Sequence, residues 1–243
     1  MDTRRLLSYV RRAVDDFEMI HEGDRICVGI SGGKDSLALL AGLAGLRHFY
    51  PKKFDLVALT VDMGFDGVDY SEIEALCREL NVPYHVKKTE IAQIIFDIRK
   101  EKNPCSLCAK MRRGVLHSTA KELGCNKIAF GHHFDDVVET FMLNLFHEGR
   151  IGCFQPVTYL DRMDVMQIRP LLYVEEKEVA NAVKRLELPI VENTCPADGG
   201  TRREEIKQLL VTLEKDYPGL RTKLFGAIRR YPLYGWDTEH PQH

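Results

Sequence analysis

Six residues, Ser31-Gly32-Gly33-Lys34-Asp35-Ser36, follow the apolar run Ile26-Cys27-Val28-Gly29-Ile30 and open the mainly apolar stretch Leu37 to Leu46. The order reads as a buried strand, a glycine turn and the start of a helix. Paired glycines let the backbone approach an anion closely, and the first N–H groups of a helix point along its positive dipole end. The loop is therefore expected to hold nucleotide phosphate, with Gly29, Ile30, Ser31, Gly32, Gly33, Lys34, Asp35 and Ser36 as candidate nucleotide-binding residues. It lacks the G-x-x-x-x-G-K-[ST] spacing of a Walker A loop, and Asp35 stands where that motif has a magnesium-binding hydroxyl. A plain Gly-Gly connection is the bland alternative; six matching positions between a strand and a helix argue against it.

The rest of the chain alternates in the same way. Strands are expected at Phe54 to Val61, Pro83 to Val86, Lys127 to Phe130 and Pro189 to Val191, with a hairpin between Phe154 and Leu172 turning at Asp161-Arg162-Met163-Asp164. Helical periods run over Arg4 to Phe17, Tyr70 to Leu80, Ile91 to Ile98, Cys108 to Leu123, Val137 to Phe146, Glu175 to Leu186, Thr201 to Leu213 and Gly219 to Arg230. Alternation of this kind predicts an α/β fold, a doubly wound, mainly parallel sheet with flanking helices. The expected organisation is a single domain over 1–243, with an inserted C-x-x-C segment at about 99–124 and a C-terminal helical region at about 175–243. No apolar run approaches the ~20 residues of a membrane span, and the amino end has no signal-peptide core, so the expected setting is the cytoplasm, away from membranes.

In an open α/β sheet, ligands bind beyond the carboxyl ends of the strands. Besides the glycine loop, two polar motifs fall there: Asp62 after Val61, and Gly131-His132-His133-Phe134-Asp135-Asp136 after Phe130. Convergence of all three on one cleft is the structural expectation. A polyphosphate needs cations, so Lys34 is the candidate fixed cation, and Asp35, Asp135 and Asp136 are the carboxylates expected to hold Mg2+. These four are the candidate catalytic residues. Asp62 could serve the metal or bind ribose, while Val61, Gly131 and His132 complete the expected nucleotide surround. The competing role for Asp135 and Asp136 is to cap a helix and complement its dipole, which is compatible with metal binding. His132 and His133 are equally suited to hydrogen-bonding the loop or to catalysis.

Seven cysteines without an export signal do not suggest a disulfide framework. Cys105-Ser106-Leu107-Cys108 is a single C-x-x-C, which can bind zinc, ligate an iron-sulfur cluster or act as a redox dithiol. Cys195 lies between an expected strand and helix, while Cys27, Cys77, Cys125 and Cys153 read as small hydrophobes. Basic residues gather around the pair: Arg99, Lys100, Lys102, Lys110, Arg112 and Arg113 against the one acid Glu101. The net charge of −2 gives no global nucleic-acid signature, so any RNA contact must be local.

Taken together, Ser31 to Ser36, Cys105 to Cys108 followed by Met111-Arg112-Arg113-Gly114, Gly131-His132-His133 with Asp135-Asp136, and the late Cys195 resemble the PP-loop tRNA thiolases, and among them the TtcA-type 2-thiocytidine-forming branch. That resemblance implies a PP-loop ATP pyrophosphatase (adenine nucleotide alpha hydrolase-like) fold and an ATP-dependent tRNA sulfurtransferase. It implies Cys105, Cys108 and Cys195 as ligands of a 4Fe-4S cluster with an open iron site; whether a fourth ligand such as His117 or a substrate sulfide caps it is not given by the sequence. ATP would adenylate a base, most simply an anticodon-loop cytidine, and sulfur would replace the activated oxygen. The implied partners are tRNA, ATP and a sulfur donor such as a cysteine desulfurase or free sulfide, with a homodimer as one permitted assembly. Lys110, Arg112, Arg113, Arg202 and Arg203 would contact RNA phosphates. The rival readings are a thiolase for another base such as uridine, a PP-loop amidotransferase or ligase with zinc-bound cysteines, and a non-enzymatic cluster carrier.

Overall fold

The computed structural model describes residues 3–65, 67–99, 104–191, 195, 202–231, 233–234 and 236–237. The first helix, α1 (Thr3–Asp16), leads into β1 (Asp24–Gly29), α2 (Lys34–Arg47), β2 (Phe54–Asp62), α3 (Ser71–Glu79) and β3 (Tyr84–Lys88). A short helix, α4 (Ile91–Gln93), runs on as a π-turn over Ile94–Ile98; then come α5 (Pro104–Glu122), β4 (Lys127–Ala129) and α6 (Phe134–Glu148). The hairpin β5 (Val157–Leu160) and β6 (Val165–Ile168) precedes α7 (Glu176–Arg185), α8 (Arg202–Asp216) and α9 (Leu220–Arg230).

The six strands lie in the order β3-β2-β1-β4-β6-β5, parallel except for β5 at the edge, which runs antiparallel to β6. The sheet grows outward from β1 to β3, and the chain then crosses back to place β4 on the other side of β1. Ligands of such sheets bind at this reversal, and the loops after β1 and β4 flank it.

Alternate strand residues serve two cores. Ile26, Val28, Leu56, Ala58, Ala129 and Ile168 point to the side covered by α1, α2 and α7. Cys27, Val57, Leu59, Val61 and Ile128 point to the smaller core that Ile91, Ile95, Leu116 and Ala120 close from α4, the π-turn and α5. The period of two along each strand thus sorts side chains between helical layers. Helix α2 is buried nearly all round, at Leu37, Leu39, Leu40, Leu43 and Leu46, as expected of a helix enclosed by neighbours.

Several boundaries differ from the sequence reading. Helix α5 begins at Pro104 rather than near Cys108, so the C-x-x-C pair occupies its first turn; proline suits a first helical position. Pro189 to Val191 form no strand. The Val191 N–H donates instead to the Gly32 carbonyl at 3.1 Å, so the segment runs along the glycine loop. Lys100 and Lys102, the proposed helix start at Thr201, and the residues on either side of Cys195 lie outside the described residues.

At the opposite end of the sheet, Lys127 of β4 is buried. Its ammonium donates to the Met19 carbonyl at 2.9 Å and His21 Nδ1 at 2.9 Å, and pairs with Asp24 at 2.8 Å. Asp24, also buried, accepts from the His21 N–H at 2.6 Å and Asn126 Nδ2 at 2.7 Å. All three ammonium hydrogens are thus used, and the α1–β1 connection is tied to β4. Removing one member of such a pair leaves a buried uncompensated charge. Lys127→Met, although similar in length, is expected to destabilise the protein by about 3 kcal/mol in chemical denaturation.

Candidate active site

The loop after β1 is shaped by its own hydroxyls. The Ser31 N–H donates to Ser36 Oγ at 3.2 Å, Ser36 Oγ donates to the Gly33 carbonyl at 2.9 Å, and the Gly33 N–H donates to Ser31 Oγ at 3.3 Å. Gly32 has φ +83°, and a Cβ there would stand 2.9 Å from the Val191 Cβ, so conformation and space both require glycine. Lys34 and Asp35 open α2 directly after the extended Gly33.

Gly131 joins this loop to the one after β4. A Cβ on it would lie 2.9 Å from both the carbonyl carbon and oxygen of Asp35. The close approach sets His133 Nε2 3.7 Å from Asp35 Oδ1 and 3.5 Å from Asp136 Oδ2. Asp136 also accepts the His133 N–H at 2.9 Å, which satisfies one donor at the start of α6. It pairs through its other oxygen with Arg203 of α8 at 2.8 Å.

A cavity of about 190 Å³ results, lined by residues that include Lys34, Asp35, His133, Asp136, Glu139 and Arg203, with Glu176 and Lys207 at its side. Glu176 bridges Lys34 at 3.2 Å and Lys207 at 2.8 Å. Burial opposes its ionisation, but the two ammoniums outweigh burial and hold its pKa down at about 2. Burial likewise opposes the charge on Lys34, yet Asp35 and Glu176 raise its pKa above the ordinary lysine value. The cations of the cavity are thus fixed in place by carboxylates.

Asp35 behaves differently. Burial raises its pKa despite His133 and Lys34, and its buried Oδ1, 3.4 Å from the Lys34 ammonium, makes no hydrogen bond among the described residues. A carboxylate oxygen left in this state is suited to a cation, so Asp35, with Asp136 beside it, fits the expected Mg2+.

The cysteines lie on α5 and beyond. Cys105 is exposed and Cys108 half-buried against the smaller core. Burial raises the pKa of the Cys108 thiol; Arg112 opposes this, while Cys195 and Cys105 add to it, so both thiols lie within electrostatic range of Cys108. Among the described residues no three Cys, His, Asp or Glu side chains are gathered to grip a single metal ion. A Cys108 thiol whose ionisation is opposed by two thiols nearby would be relieved by a larger, positively charged centre that takes thiolates as ligands, so the three residues fit a cluster of that kind. His117 is engaged elsewhere: Gln167 Nε2 lies 3.0 Å from its Nε2, and its ring meets Phe130 edge-on.

The sequence profile of the PP-loop domain matches residues 6–214. The tRNA-cytidine(32) 2-sulfurtransferase of Geobacter sulfurreducens is 41% identical over 240 residues, covering 97% of this chain and 93% of the relative. That of Ralstonia pickettii is 39% identical over 97% of this chain and 76% of its own length. The chain belongs to the tRNA-cytidine(32) 2-sulfurtransferase family of PP-loop proteins. Among solved structures, the U34-tRNA thiolase NcsA from Methanococcus maripaludis, with its 4Fe-4S cluster, superposes with a TM-score of 0.75 at 25% identity, over 98% of this chain and 79% of that one. The fold also resembles the NH3-dependent NAD synthetase from Campylobacter jejuni, with a TM-score of 0.50 at 18% identity.

Against this family frame, the glycine loop, Gly131, His133, Asp35 and Asp136 converge as the sequence suggested. Asp135 does not join them in the cavity. Its oxygens pair with Arg221 of α9 at 2.7 Å and accept the Glu176 N–H at 2.7 Å, so it fastens α6 to α7 and α9. Asp62 turns into its own loop, accepting the Gly64 N–H at 3.0 Å, and the Val61 side chain is buried in the smaller core. His132 lies behind His133, stacked on Phe154 at 4.8 Å; burial and then Arg169 lower its pKa to about 4, so it is neutral at pH 7. Arg203, expected on RNA, faces the cavity.

Glu139, Glu176 and Lys207 were missed. Glu139 falls one helical turn after Asp136, a spacing that could have shown it on the same face. Burial, followed by the charge of Asp136, raises its pKa from the ordinary 4.5 to about 7. A raised carboxylate binds more protons folded than unfolded, so its contribution diminishes stability as pH climbs from about 4.5 to about 7. Glu139→Gln is therefore expected to raise the melting temperature of the nucleotide-free protein at pH 8 by about 5 °C, while both proteins melt together at pH 4.

Proposed function

We propose that this chain is an ATP-dependent tRNA sulfurtransferase that converts a cytidine of the anticodon loop to 2-thiocytidine. The observation that carries the reading is the presence, in a member of this family, of a glycine loop at a helix N-terminus together with Cys105 and Cys195 within electrostatic range of Cys108. ATP alone would explain the first feature but not the second.

The N–H groups of the glycine loop and the start of α2 receive the phosphates, and Lys34, Arg203 and Lys207 supply positive charge. Phosphate oxygens exchange with Glu176 and Asp136 as partners of these cations. Asp35 and Asp136 would hold Mg2+, which neutralises charge on the polyphosphate when bound. His133, between the two carboxylates, orients them.

The C2 oxygen of the base attacks the α-phosphorus and pyrophosphate leaves. Sulfide then adds to C2, and AMP departs with the original oxygen, leaving a C2–S bond. AMP is a far better leaving group than an oxide, which is why activation precedes sulfur insertion. Cys105, Cys108 and Cys195 would hold a 4Fe-4S cluster, which when bound supplies a site for the incoming sulfide. The sulfide is free sulfide, or is released from the persulfide of a cysteine desulfurase by a thiol reductant that is oxidised to a disulfide. Lys110, Arg112 and Arg113, exposed on α5 beside the cysteines, meet RNA phosphates.

Anaerobically reconstituted protein should be brown and form 2-thiocytidine in tRNA only with ATP and a sulfide source, as read by nucleoside mass spectrometry. Cys195→Ala should abolish product and Cys77→Ala, a buried helix position, should retain it; the opposite pattern overturns the ligand assignment. Affinity for tRNA should fall with salt, and Arg112→Ala should make that log–log slope shallower by about one.

A further inference from the structure

Resting on the thiolation reading, we propose that a second cavity of about 420 Å³, beside Phe154, Arg169 and Tyr234, receives the target cytosine unstacked from the RNA, its O2 and N3 edge toward the Arg169 guanidinium. Chemistry at C2 needs the base taken out of its stack, because a neighbouring base would block the face that sulfide must attack.

The cavity is near the machinery it must serve. His133 lines the nucleotide cavity, and His132, the next residue, stacks on Phe154 of the second cavity at 4.8 Å. Arg113 of the cysteine-bearing helix is close enough to Arg169 and His117 to influence both electrostatically. A base seated there would adjoin the nucleotide cavity through His132 and His133 and would lie within electrostatic range of the cysteine-bearing helix through Arg113.

Its chemistry suits a pyrimidine. The exposed Tyr234 offers a face for stacking, while Phe154, packed by His132 at 4.8 Å and by Arg169 at 5.1 Å, holds the guanidinium in the wall. Arg169 is buried and has no carboxylate partner among the described residues. Its Nη atoms donate to the Gln155 carbonyl, to Thr158 Oγ1 at 3.2 Å and to Gln167 Oε1 at 3.2 Å, while Nε–H has no partner among the described residues. A buried cation held only by neutral groups is costly, and an incoming acceptor pair would offset that cost. Guanidinium only donates. Cytosine presents two adjacent acceptors, O2 and N3, whereas uracil presents O2 beside an N3–H donor, so the wall favours cytosine over uracil.

The test uses the reconstituted full chain with tRNA carrying 5-iodocytidine at the target position, irradiated and mapped by mass spectrometry. A crosslink in the peptide containing Phe154 or Tyr234 is expected; one confined to other peptides overturns the assignment. In parallel, Arg169→Lys and Tyr234→Ser should each lower kcat/KM for tRNA about tenfold, with ATP binding and overall tRNA affinity changed less than twofold. Arg169→Lys should also narrow the preference for a cytidine over a uridine substrate. Tyr234 is exposed, so its variant remains informative if Arg169→Lys fails to fold. Unchanged kinetics and base preference in the variants overturn the pocket alone, whereas absence of 2-thiocytidine with the parent protein overturns the thiolation reading beneath it.

Discussion

The approach of Gly131 to the Asp35 peptide is the contact on which the site depends. The loops after β1 and β4 are separated by about a hundred residues of sequence, and the sheet brings them to adjacent strand ends without fixing how closely they meet. With no Cβ on Gly131, the backbones touch, His133 comes between Asp35 and Asp136, and α2 and α6 start from the same spot. Two helix N-termini and their positive dipole ends then face one small cavity, which is the electrostatic basis for a polyanion site in a chain of slightly negative net charge.

The cavity's own charges are arranged for exchange. Lys34 and Lys207 share Glu176, and Arg203 holds Asp136, so no long cationic side chain must be ordered when phosphate arrives. Asp136, one of the carboxylates that hold these cations, is also the group that a divalent ion would engage beside Asp35. Binding of nucleotide with magnesium would substitute one set of ion pairs for another within the same frame, limiting the entropic cost of assembling the site. Asp135 contributes from outside the cavity, because its bond to Arg221 anchors the C-terminal helices that carry Arg203 and Lys207.

Much of this was legible in the chain. Apolar runs ending in glycine or polar clusters marked the parallel strands, and the signature Ser31 to Ser36 located the helix start that matters most. The hairpin emerged from two apolar stretches around Asp161 to Asp164. The reading weakened where an interaction is made over long sequence distance. Asp135 and Asp136 are adjacent acids, but on a helix they point about 100° apart, and only the packing of α8 and α9 decides which faces the cavity. Pro189 to Val191 have strand-like composition yet bond to the glycine loop because the neighbouring sheet position is filled by β6. Lys207 and Glu176 carried no local pattern that distinguishes them from solvated charges.

The position of α5 explains how one chain can join two chemistries. Its apolar face, Leu107, Met111, Val115 and Leu116, is held against the smaller core, which fixes the helix relative to β1 and β4. In the first turn Cys105 is exposed and Cys108 half-buried against that core, and Lys110, Arg112 and Arg113 lie on the exposed side. Two of the thiols and three exposed cations are therefore presented by a single packed element, and the same sheet that positions the glycine loop positions that element. A thiol pair on a free loop would need separate ordering before it could meet an activated base. On a packed helix the distance between the glycine loop and the Cys105–Cys108 pair is set by the fold, so in the proposed reaction the base would be the part that moves.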